Sequence, residues 1–161
     1  MKRVASLTFA AAVAACGGSP SSPDTSQTTA VIALSASPST AAGGPCTGCG
    51  AQSTDREVAT DVTVRETGGV AATVTSVAMT LRDSATGSVI ASGAFDTDGA
   101  IVSLAGSSRL PANGSLVLRA VGVHYPREQA GKGAALTITV TVRDDRGHTL
   151  GRDLIVPVTS T

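Results

Sequence analysis

Aromatic side chains are almost missing from this chain of 161 residues, which has no Trp, one Tyr (Tyr125) and two Phe (Phe9, Phe95). Nucleobases and sugar rings are commonly held on aromatic faces, so the scarcity argues against a nucleic-acid binder and an aromatic-platform lectin. Runs of like charge are missing too. Twelve basic residues balance twelve acidic ones, and without Lys2 and Arg3 the remainder is slightly acidic. No basic stripe steers the chain toward nucleic acid or anionic lipid. No apolar run reaches the roughly 20 residues that span a bilayer. Histidine is limited to His124 and His148, cysteine to Cys16, Cys46 and Cys49, and there is no internal repeat.

The N-terminus is zoned. Lys2 and Arg3 precede a short stretch of small and apolar residues, Val4 to Ala15, which stops at Cys16. This is the charged, apolar, small-residue layout of a secretory signal peptide. The four residues Val13-Ala14-Ala15-Cys16 resemble the lipobox of bacterial lipoprotein precursors. The resemblance implies cleavage before Cys16, a diacylglycerol on its thiol and an acyl chain on the new amine. Stable anchoring needs about two acyl chains, and such a modification exceeds that. Gly17 in place of Asp is similar to lipoproteins sent to the outer membrane of Gram-negative cells. An ordinary secretory signal with a chance cysteine is the alternative. The expected organisation is therefore a signal peptide over 1–15, a lipidated Cys16 with a flexible tether over 16–29, and one domain over 30–161. The tether sequence Gly17–Thr29 has no apolar residue and could reach about 45 Å when stretched.

Within the domain, Leu136-Thr-Ile138-Thr-Val140-Thr-Val142 alternates perfectly. One face is aliphatic and the other threonine, as a strand with one buried face requires. Asp144-Asp-Arg-Gly147 then turns the chain into Leu150–Val158, giving a terminal hairpin. Pro157 lacks a donor N–H, which puts that last strand at a sheet edge or leaves it paired on one side only. Val70, Ala72 and Val74 share one parity, but Val77, Met79 and Leu81 take the other, so a β-bulge is expected near Thr75-Ser76. Further strands are expected at Val31–Ser37, Val58–Arg65, Ser88–Phe95, Ala100–Leu104 and Ser115–His124, with turns at Ala85–Gly87, Asp96–Gly99 and Pro111–Gly114. Ser37 to Glu57 is left as a long Gly- and Ala-rich connection. These features predict an all-β fold, an antiparallel two-sheet sandwich of seven to eight strands, with a β-barrel as runner-up. By pattern alone, the domain resembles immunoglobulin-like and fibronectin-III-like modules of bacterial surface proteins. The Trp and the inter-sheet Cys pair of antibody domains are missing.

Chemistry-bearing residues are sparse. In an oxidising envelope, Cys46 and Cys49 are expected to form a disulfide that stiffens the Pro45–Gly50 turn. A thiol–disulfide redox role is the sharper alternative, but Gly44 and Pro45 precede the pair where a redox motif wants a helix N-terminus to follow. Haem attachment needs His after the second Cys, and Gly50 stands there. Zinc needs further ligands, and neither His has a ligand spacing, so no metal is assigned. Asp96-Thr-Asp98-Gly99 lacks the acidic positions of a calcium loop and reads as a turn. No nucleophile motif is found, so no catalytic residue and no cofactor are assigned. His124, Tyr125 and Arg127 form a candidate contact loop, or simply a strand end turned by Pro126. The expected function is a non-enzymatic structural or interaction role in the cell envelope, with the membrane contacted through the lipid and an envelope protein as partner.

Overall fold

The computed structural model describes residues 29–46 and 56–160; the signal-like segment, Cys16, the tether to Thr28 and Cys49 lie outside the described residues. Its elements are β1 (Ile32–Ser37), β2 (Ala41–Pro45), β3 (Arg56–Glu66), β4 (Ala72–Asp83), β5 (Val89–Phe95), α1 (Asp98–Ala105), β6 (Arg109–Leu110), β7 (Ser115–Tyr125), β8 (Ala134–Asp144) and β9 (Thr149–Ser160). The fold is an all-β sandwich, with nine strands among the described residues and no closure into a barrel.

The alternation in β8 does what it predicts. Leu136, Ile138, Val140 and Val142 are fully buried, and β8 pairs antiparallel with both β9 and β4. The β4 ladder slips between Val74 and Ser76, so the extra residue moves the buried set from Ala72 and Val74 to Val77, Met79 and Leu81. The bulge therefore keeps an apolar face inward on both sides of the slip. β5 and the short β6 complete this side along β4. In the second ladder, β3 pairs antiparallel with β1 on one edge and β7 on the other. Val58, Val62 and Val64 of β3 and Leu116, Leu118 and Val121 of β7 join the β4 and β8 side chains in one core.

Three expectations need correction. The long connection after Ser37 contains a strand, because β2 pairs antiparallel with β3 at Gly44 and Pro45 and parallel with β9 at Ala41–Gly43. Ala-Ala-Gly-Gly-Pro has little strand propensity of its own; neighbours on both sides make it one, and it joins the two ladders. The last strand is also not an edge, since β9 lies between β2 and β8; Pro157 itself, just before the parallel contact, faces only Ala135 of β8, so its missing N–H interrupts no second ladder. Ala100–Leu104, expected as a strand, belongs to α1, and the expected turn Asp96–Gly99 supplies the helix's cap, Thr97, and its first two residues, Asp98 and Gly99. Thr97 caps the helix by accepting from Ala100 N at 3.3 Å. Gly106 ends it in the left-handed region at φ 74°, donating to the Val102 carbonyl. Ile101 alone of the helix is fully buried. One inward residue per turn looks like strand alternation when the segment is this short.

Candidate functional site

The terminal strands of the two ladders, β5 and β7, have no further strand beside them among the described residues. Between them runs an open groove of about 490 Å³, floored by Val58, Met79 and Val123 and walled by Ser92–Phe95, with Glu57 and His124 also lining it. β7 is bent at its lip. Thr60 pairs with Val121 but Val62 with Leu118, so Arg119 and Ala120 both face Asp61. Ala120 sits at φ 50°, unusual for a residue with a Cβ, and donates its N–H to Asp61 Oδ1 at 2.9 Å. Arg119 Nη1 lies 3.5 Å from the other Asp61 oxygen.

The polar corner is set by strand register. Gly44 of β2 pairs with Glu57 of β3, and Glu57 pairs with His124 of β7. Cys46, just past β2, falls two residues beyond Gly44 and so on the same face. One donor atom each from Cys46, Glu57 and His124 lie within 4.8 Å of one another, with Glu57 Oε2 and His124 Nε2 3.7 Å apart. Cys46 and Glu57 are half-buried and His124 is exposed. Sequence spacing could not find this trio, since two members lie on different strands and the third just past another, and only the register unites them.

The residues of the expected contact loop are divided by the same register. His124 is on the outer face, whereas Tyr125 is 6% exposed and belongs to the core. Its ring lies against Gly43, where a Cβ would come within 2.1 Å of the hydroxyl oxygen. Arg127 is exposed and opens a 3₁₀ turn, Arg127–Gln129, after Pro126. His148 is elsewhere, its Nδ1 3.0 Å from Asp144 Oδ2.

Two buried carboxylates were missed by sequence reasoning. Glu66 is fully buried. Its Oε1 accepts from the N–H groups of Val31 (3.1 Å) and Gly68 (2.5 Å), and its Oε2 from Gly69 (2.9 Å) and Asn113 (2.8 Å). Burial pushes its pKa up, but these four donors together outweigh that and hold it below the usual value. Asp144 accepts from His148 N, Arg146 N and Ala30 N. Burial again opposes the charge, and the donors from His148, Ala30 and Arg146 bring the pKa down to about 2. Each carboxylate ties together loop N–H groups, part-buried around Glu66 and in part buried around Asp144, that would otherwise lack an acceptor. Both are spent on structure.

Among the described residues, no helix is long and apolar enough to cross a membrane. No family model matches the chain, and no curated protein matches it.

Proposed function

We propose that this chain is a lipid-anchored protein of the bacterial cell envelope with a non-enzymatic interaction or structural role. The anchoring rests on the Val13–Cys16 run in the sequence; the outer membrane is the destination if the cell is Gram-negative. The interaction role is carried by one observation, the groove between two terminal strands. Strand edges present unmet N–H and C=O groups, and proteins usually guard them with charge, proline or a bulge. β5 reads Val-Ile-Ala-Ser-Gly-Ala-Phe, without a charged residue or a proline; its one register shift falls at Ile90, and Ala91–Phe95, the part along the groove, pairs with β4 without a break. Such an edge suits an extended segment of a partner added as a further strand, its side chains resting in the adjoining groove.

Fatty-acid labelling of the full gene product tests the anchor. Label should enter the wild type and be lost in Cys16→Ser; a soluble, unlabelled wild type would end that part of the proposal. A photo-crosslinker at Ala94, exposed on β5, tests the edge. Capture of one envelope protein, abolished by Ser92→Pro, is expected, and capture insensitive to Ser92→Pro would rule the edge out.

A second reading, a thiol–disulfide redox lipoprotein using Cys46 and Cys49, draws support from the His124 imidazole beside Cys46. The reduction potential separates the two. A structural bridge lies below about −300 mV and a working one well above.

A further inference from the structure

The corner formed by Cys46, Glu57 and His124 brings together a sulfur from just past β2, a carboxylate oxygen from β3 and an imidazole nitrogen from β7. Zinc takes this ligand set, with metal–ligand distances of about 2.0–2.3 Å and water in a fourth position when three protein groups bind. Tetrahedral ligands at those distances stand roughly 3.3–3.8 Å apart. The Glu57–His124 separation of 3.7 Å is already there, and the trio's limit of 4.8 Å exceeds the upper end of that range by only about 1 Å. Ladder pairing on both sides of Glu57 holds Gly44 and His124 beside it, with Cys46 two residues beyond Gly44. A Glu–His pair on a surface is common and selects no metal, but a thiolate added to it favours thiophilic ions.

We propose that reduction of the Cys46–Cys49 bridge opens a zinc site made of Cys46, Glu57 and His124, so that this corner binds metal in one redox state and not in the other. The proposal rests on the reading that the two cysteines pair when oxidised. The exchange balances with a dithiol as reductant. Its two sulfurs join in a disulfide, the Cys46–Cys49 bond breaks, and each cysteine leaves as a thiol with one of the two protons the reductant gives up. Zinc then displaces the Cys46 proton to solvent. In the bridged state Sγ is held by the second sulfur and lacks the thiolate charge a metal needs.

Zinc alone, titrated against a chromophoric chelator, is the test, using the full gene product as cells process it, with detergent if it is membrane-bound. The reduced, desalted protein is expected to bind one zinc at least 100-fold more tightly than the untreated protein. His124→Ala and Glu57→Gln should each weaken that binding tenfold or more, and Cys49→Ser should bind without any reductant. If Cys46→Ser or His124→Ala binds like the reduced wild type, the site is wrong. A thiol count on the untreated protein keeps the two ideas apart. A bridge that reduces cleanly without gaining zinc affinity overturns the metal site and leaves the bridge. Free thiols with zinc already bound overturn the gating and the bridge together.

Discussion

Glu66 is the residue on which the loop end of the sandwich most depends. Its two oxygens each accept two N–H groups, so both must be acceptors. Glu66→Ala leaves four part-buried donors without their acceptor and should cost about 2 kcal/mol or more. Glu66→Gln is no rescue: its amide NH₂ must face two N–H groups, and a loss of about 2 kcal/mol is expected. Urea unfolding of both variants checks this, and a glutamine variant as stable as the wild type would contradict the assigned bonds. Glu66 and Asp144 also set the acid behaviour. Folding favours their ionised forms, and Asp144 sits at about 2 against an ordinary 3.8. The stability they lend is therefore complete above about pH 5 and disappears as pH falls through about 4 toward 2. Unfolding midpoints measured from pH 7 to pH 2 should drop in that window, and Asp144→Asn should flatten the drop. Neither residue was legible beforehand, because an isolated Glu at a strand end looks like any solvated charge.

At the scale of elements, periodicity carried far. The seven-residue alternation of β8 identified all four of its central buried residues, and the parity switch located the β4 bulge, because side-chain direction in a strand follows from sequence order alone. Ile138→Ala in this doubly paired strand should cost about 3–4 kcal/mol, and a loss under 1 kcal/mol in denaturant would contradict its burial. Short or weakly patterned elements were not legible. α1 has one buried turn, and β2 owes its existence to neighbours. The caps of α1 were nonetheless in the sequence, at Thr97 and Gly106, and each should matter. Thr97→Ala and Gly106→Ala are expected to lower stability by about 1 kcal/mol each, read as shifts in thermal unfolding. β2 also changes what the nearby cysteines have to do. Its pairing with β3 already brings Pro45 beside Arg56, so Cys46→Ser/Cys49→Ser should cost about 1 kcal/mol or less. Outright unfolding of that double variant would mean the bridge holds more than this turn.

For the molecule as a whole, the sandwich was legible because strand count, turn spacing and parity all point to it. The groove and its polar corner were not, since both depend on which strands become neighbours. The parallel contact between β2 and β9 illustrates this most clearly. Ala41 meets Val158, and Gly43 meets Ser160, so the two ladders are tied together by segments from near opposite ends of the domain. Contacts so distant in sequence are slow to form, because a long loop must close before they are rewarded. They also impose an order in time. While the chain is being synthesised, β1 and β3 can pair early, but β2 has nothing to lie against on its second side until Ser160 has emerged. The seam between the two ladders is thus closed last, after the β1–β3, β3–β7 and β4–β8 pairings, none of which needs β9.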